Sequence, residues 1–301
     1  MHIPNRISHI IARFIRVFHL WPLIARTGIY NYVRKKRYPD TIVNMDVVIT
    51  ECCTLRCRDC SNLMQYYHHP ENLDIDETIT SLRILFKSFR IKRLNLLGGE
   101  PFVCQNNLIS ILEFLNKEMR GQFDEIVVIT NGTIVPSLKC INIMSEIQEL
   151  KLVFSNYGEL SSKMNECIEL CRSYGIKFDI IEDKFWWDCG NLALREEKAQ
   201  KTQRRYDECY TRRHCTTLYR GKLYVCPRQA HATHLGVIPQ EKSEMVDVMQ
   251  FVQSVPNDLS DAVYRLIERK EYITTCVFCG CDSEIKIPKA IQSERPVDFN
   301  E

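Results

Sequence analysis

The 301-residue chain lacks any run approaching the roughly 20 apolar residues needed to span a bilayer, because its most apolar N-terminal stretch, Val17 to Ala25, lies among Arg13, Arg16 and Arg26. No small-x-small cleavage site follows that stretch, so neither a membrane span nor a secretory signal is predicted. Internal repeats and low-complexity segments are absent as well. So is a large charge imbalance: 40 Lys/Arg against 38 Asp/Glu leave +2, which excludes a strongly basic nucleic-acid binder. Acidic residues are missing locally from positions 1 to 39, which carry eight Lys/Arg and leave the remainder at −6. With 45% hydrophobic and 26% charged residues, the chain has the composition of a folded globular protein.

Cysteine, by contrast, is abundant: 15 residues, several times ordinary cytosolic usage. The odd count, the ample length for a core and the missing signal argue against a secreted disulfide scaffold. Reduced thiols in a cytoplasm, used for metal or for chemistry, are expected.

Apolar periodicity alternates between two patterns from about residue 42 to 182. Strand-like runs at 42–50, 94–97, 126–130, 150–155 and 176–181 are separated by helical stripes at 75–89, 107–119, 137–147 and 160–174. Such alternation predicts right-handed βαβ units and a parallel sheet. The fold class expected is α/β, a partial TIM-like barrel of five to six parallel strands with a small C-terminal module of β-hairpin plus helix. In such sheets the ligand site lies beyond the C-terminal strand ends. Three unusual segments fall there: 51–62, Gly98-Gly99-Glu100-Pro101, and Thr130-Asn131-Gly132.

The first contains Cys53, Cys57 and Cys60 at x3 and x2 spacing, three soft ligands that can hold one iron–sulfur cube and leave one iron open. Zinc or buried thiols are the alternatives. Cys52 is placed outside the set. Gly98 and Gly99 let backbone approach a ligand closely, and Glu100 can accept from an ammonium group, so the two loops together suit the polar end of an amino acid.

On these residues the chain resembles the radical SAM superfamily over about residues 42 to 185. The resemblance implies a [4Fe–4S] cluster on Cys53, Cys57 and Cys60, its open iron chelated by S-adenosylmethionine, with Gly98, Gly99 and Glu100 at the methionine ammonium. Asn131 and Ser155 would line the ribose or methionine side, and the electron donor would be of flavodoxin or ferredoxin type. One departure is visible: Asp59 stands where the family often has an aromatic residue near adenine.

The tail holds six cysteines. A hairpin is predicted over 216–226 around Arg220-Gly221. Cys209, Cys226, Cys276 and Cys279 form a four-thiol set on two segments, with zinc and iron–sulfur both open on spacing and with Cys215 or Cys281 able to replace a neighbour. The pattern Cys-x11-Gly-x4-Cys with a later Cys-x2-Cys resembles the Twitch form of the SPASM module, which implies an auxiliary [4Fe–4S] cluster. Three parts are therefore expected: a basic extension (1–40), a radical SAM core (41–195) and an auxiliary module (196–301).

The layout resembles aminocyclitol dehydrogenases and radical SAM proteins of polysaccharide loci, implying hydrogen abstraction from a carbohydrate-like small molecule and oxidation of an alcohol. Epimerisation is the alternative, with Cys189, Cys215 or Cys281 as hydrogen donor; a peptide-modifying maturase is another. Tyr66, Tyr67, His68, His69, Trp186, Trp187 and Asp188 are expected to flank the mouth. No nucleic acid is expected as partner. The N-terminal helix puts Ile7, Ile10, Ile11, Phe14 and Phe18 opposite a basic face. It has two readings: packing on the barrel, or peripheral binding of residues 1–37 at the inner membrane face of a cytoplasmic protein.

Overall fold

The computed structural model describes residues 36, 38, 40–254, 256–281, 285–294, 296, 297 and 299. The basic amphipathic helix expected in the N-terminal extension falls outside the described residues.

Apolar runs form a parallel sheet of β1 (Thr41–Val48), β2 (Arg90–Leu97), β3 (Phe123–Thr130), β4 (Leu150–Ser155) and β5 (Lys177–Ile181). Between them run α1 (Ile75–Phe86), α2 (Gln105–Glu118), α3 (Leu138–Ser145) and α4 (Met164–Ser173). Local chemistry sets the helix starts: Asp74 accepts from the Asp76 and Glu77 amides at 2.9 and 3.1 Å, and Ser137 caps α3 by accepting from the Cys140 amide. The core is the layer between sheet and helices, where Leu82, Leu85, Leu94, Leu96, Ile126, Val128, Leu152 and Phe154 are buried.

The short β6 (Trp186–Trp187) follows, then α5 (Ala199–Glu208), α6 (Tyr210–His214) and the hairpin of β7 (Thr216–Tyr219) and β8 (Lys222–Tyr224). Positive φ at Arg220 (48°) and Gly221 (68°) gives the two-residue turn the twist that suits a hairpin. β7 pairs in parallel with β1, matching Met45 to Thr216. α7 (Pro227–His234), β9 (Val246–Asp247), α8 (Pro256–Ile267) and β10 (Lys286–Ile287) complete the chain. The main sheet has eight strands in the order β5-β4-β3-β2-β1-β7-β8-β9, and it is open. β1 to β5 and β7 make six parallel strands, the expected partial barrel. Among the described residues no helix is long and apolar enough to cross a membrane.

β2 begins four residues earlier than its apolar run, because Arg90, Lys92 and Arg93 lie in its first half; Arg93 pairs with Glu125 on β3 at 3.4 Å. A strand at a sheet's polar end needs no apolar signature.

The C-terminal segment returns over the cysteine loop. Gln292 bridges antiparallel to Cys57, Arg58 N–H donates to the Ile291 carbonyl at 2.8 Å, and Arg56 N–H donates to Gln292 Oε1 at 2.8 Å. Phe299 stacks on Tyr66 with ring centroids 5.0 Å apart. A chain ending at Lys289 should therefore keep the sheet but lose hydrogen-exchange protection at the Arg56 and Arg58 amides, by about tenfold or more, with β2 amides unchanged. Unaltered exchange at Arg56 and Arg58 would show that the strap does not hold the loop.

Candidate active site

The site begins where β1 and β2 end side by side. Gly99 N–H donates to the Thr50 carbonyl at 2.9 Å and Glu100 N–H to the Cys52 carbonyl at 2.8 Å. A Cβ on Gly98 would stand 2.1 Å from the Thr50 oxygen, and one on Gly99 2.2 Å from the Cys52 oxygen. These glycines are thus required by the cysteine loop itself, apart from any ligand.

Glu100 turns inward and is buried, with Oε1 accepting from the Phe102 amide (3.1 Å) and the Thr130 hydroxyl (2.8 Å), and Oε2 accepting from the Asn131 amide (2.7 Å). Burial pushes its carboxyl up to about 7 against those donors. Glu100 therefore ties β2 to the end of β3, and with 0% exposure its carboxyl is taken up by these internal donors and does not face a ligand's ammonium as the sequence suggested. Asn131, so placed, donates to the Thr54 hydroxyl at 3.1 Å and approaches Cys53 Sγ at 3.7 Å.

The three thiols of the loop interact electrostatically with one another. Burial pushes Cys53 up to about 12 and Cys57 to about 11, and raises Cys60. Gln292 donates to Cys57 Sγ at 3.2 Å and the Leu55 amide to Cys53 Sγ at 3.4 Å. Donors to sulfur suit thiolates that carry charge, and a metal cluster supplies the reason for the thiols to ionise. From just after β4, the half-buried Tyr157 bonds to Ser155 through its hydroxyl, which feels all three thiols electrostatically, while its ring meets Trp186 edge-on at 5.7 Å.

The four tail thiols are also brought together. Cys226 interacts with Cys209, Cys276 and Cys279, and burial with these like-charge neighbours raises Cys209, Cys226 and Cys276. A hydrogen bond from Cys281 lowers Cys279 to about 6. Buried thiols that raise one another suit a cationic centre that reverses the balance. Among the described residues, no three Cys, His, Asp or Glu side chains converge tightly enough for a single ion, so both sets are gathered without closing on one centre.

The spare thiols part company. Cys189 and Cys281 are hydrogen-bonded to each other, and Cys189 also interacts with Cys60. Cys215 is turned toward Asp46 in the middle of β1. Of the aromatic and polar residues expected at the mouth, Tyr66 and Tyr67 are buried in packing, His68 and His69 are exposed, and Trp187 is 46% exposed.

Glu51, His231, Gln292 and Arg228 escaped the sequence reading. Glu51, 2% exposed, accepts from Tyr219 at 2.5 Å and from Arg220 at 2.7 Å, fastening the cysteine loop to the hairpin. Tyr67 bonds to His231 Nδ1 at 2.8 Å in the same network. Gln292 reaches Cys57 Sγ and Arg228 the Gly190 carbonyl, both from distant segments, and only the position of Glu51 beside Cys53 offered a local signal.

Folding favours protonated Glu100, whose ordinary value of 4.5 rises to about 7. Its stabilising contribution is complete below pH 4.5 and is lost as pH rises to 7, on the order of 3 kcal/mol. In urea unfolding of the metal-free chain, wild-type stability should fall relative to Glu100→Gln across that window. A pH-independent offset between the two would refute the assignment.

Residues 44–170 match a family described as a 4Fe-4S single cluster domain. An S-adenosylmethionine-dependent nucleotide dehydratase of Fibrobacter sp. (strain UWH6) is 34% identical over 91 residues, 28% of this chain and 26% of that protein. A GTP 3',8-cyclase of Bradyrhizobium diazoefficiens is 28% identical over 153 residues, 46% of this chain and 44% of that one. The chain thus spans less than half the length of either curated relative. Among solved structures, BtrN with AdoMet and 2-DOIA matches 86% of this chain and 98% of its own at 12% identity and TM-score 0.48. The enzyme anSMEcpe with AdoMet and a Cp18Cys peptide matches 46% and 42% at 19% identity and TM-score 0.37. The cysteine triplet following β1 and Gly-Gly-Glu-Pro following β2 both lie within the cluster-domain match, and they are the features by which residues 44–170 resemble the radical SAM superfamily.

Proposed function

We propose that the protein is a radical SAM oxidoreductase that removes hydrogen from a carbohydrate-like small molecule and converts an alcohol to a carbonyl. The observation that carries this reading is the pairing of two thiol sets on one sheet: Cys53, Cys57 and Cys60 at the end of β1, and Cys209, Cys226, Cys276 and Cys279 around the β7–β8 hairpin that pairs with β1. When bound, a cluster with S-adenosylmethionine on the first set supplies a carbon radical strong enough to take a hydrogen atom from an unactivated carbon, and a cluster on the second set supplies an electron acceptor.

The chain's own residues account for the rest. Cys53, Cys57 and Cys60 would hold the first group, and the backbone carbonyls of Gly98 and Gly99 would accept the methionine ammonium, in a loop that the buried Glu100 holds in place. Asn131 and Ser155, at the ends of β3 and β4, line the nucleoside side. The net change balances without an external oxidant: alcohol and S-adenosylmethionine give carbonyl, methionine, deoxyadenosine and one proton. The electron that starts the cycle, from a flavodoxin- or ferredoxin-type donor, is matched by the electron the substrate gives up.

Epimerisation is the second reading, favoured by Cys189, a half-exposed thiol that interacts with Cys60. Deuterium from solvent in a product that is not oxidised would select it.

Two outcomes test the proposal. The anaerobically reconstituted chain should hold about eight irons, falling to about four when Cys53, Cys57 and Cys60 are changed to Ala. Reduced with dithionite and given S-adenosylmethionine, the wild type should release deoxyadenosine and the triple variant none above background. Iron-loaded protein that forms no deoxyadenosine would exclude the radical reading, and a four-iron wild type containing one zinc would exclude the auxiliary cluster.

A further inference from the structure

Arg228 follows Cys226 by two residues at the start of α7 and is only 4% exposed. One terminal nitrogen donates to the Gly190 carbonyl at 3.0 Å, and its Nε is buried without a hydrogen-bond partner. Among the described residues no carboxylate pairs with it. Geometry sets it between the two thiol sets: Gly190, to which it donates, packs against Gly280 beside Cys279, and Ala232, one turn further along α7, shares a buried cluster with Leu63, three residues after Cys60. The segments around it are tightly seated. Gly280 N–H donates to the Cys189 carbonyl at 2.8 Å, and a Cβ on Gly280 would lie 3.2 Å from Gly190 Cα.

A guanidinium cannot lose its proton at any relevant pH, so burying it without an anion is strongly unfavourable. The anionic charge that fits this position is that of thiolate-ligated clusters on either side. We infer that Arg228 is a shared counter-charge, a positioning residue set between the two cluster sites that stabilises the reduced state of both. This rests on the two-cluster reading above. A fixed positive charge close to both centres favours adding an electron to either, so it raises both potentials. It also makes the metal-free chain carry an unbalanced buried charge, and loading relieves that penalty.

The experiment compares full-length wild type, Arg228→Gln and Arg228→Lys, metal-free and anaerobically reconstituted with iron and sulfide. Arg228→Gln should shift the midpoint potentials of both clusters downward in EPR-monitored titrations, and Arg228→Lys should restore most of the shift. Thermal unfolding should show opposite signs: Arg228→Gln raises Tm of the metal-free chain and lowers Tm of the loaded one. The metal-free measurement decides the matter even if Arg228→Gln loads poorly, since a lower metal-free Tm would overturn the inference. Unmoved potentials in an eight-iron variant, or a shift at one cluster alone, would overturn it too. A wild type that binds only four irons would instead remove the two-cluster reading on which the inference stands.

Discussion

The constraint on which the site depends is the contact of two backbones. Val48 and Leu97 are in register at the ends of β1 and β2, so the loops that follow start level with each other and must pack directly. They do so because Gly98 and Gly99 present no Cβ where the Thr50 and Cys52 carbonyls lie. That approach carries Glu100 inward to where its oxygens meet the Asn131 amide and the Thr130 hydroxyl, so the end of β3 is aligned by the same loop. Asn131 is in turn brought to Cys53. One steric condition at two positions thus orders three strand ends around the triplet.

The tail is bound into this arrangement. Its hairpin extends the same sheet through β7 and β1, and Arg220 and Tyr219 both reach Glu51, two residues before Cys53. The position of Cys226 relative to the triplet is therefore fixed by a sheet register and a buried network, with no flexible linker between them. Arg228, buried on the α7 side of this junction, donates to the Gly190 carbonyl and so ties α7 to the segment after β6.

What the sequence made legible follows from how local each signal is. The core strands and four helices of the first half were readable because their apolar faces recur at fixed periods, and the Cys53 triplet because its ligands lie within eight residues. The hairpin was readable from Arg220-Gly221, whose positive φ values match a two-residue turn. The first half of β2 was missed because Arg90, Lys92 and Arg93 satisfy solvent and Glu125, leaving no apolar alternation. α5 was missed for a related reason: its ten residues are almost all polar, and its burial comes from Thr202, Tyr206 and Asp207. Gln292 carried no signal, since an amide 235 positions from Cys57 becomes a sulfur donor only after the C-terminal strap has folded back.

Asp59 shows the same division between local and distant information. Read along the chain, an acidic residue before Cys60 removes the aromatic surface expected beside the triplet. In the fold Asp59 pairs with Arg58 at 3.2 Å, and the aromatic residue whose hydroxyl feels the three thiols electrostatically is Tyr157, just after β4, its ring edge-on to Trp186. Strand ends converge in a partial barrel, so a surface needed above β1 can be supplied from any of the neighbouring loops. A missing motif residue is therefore weak evidence of a missing function where the topology places several loops over the same atoms.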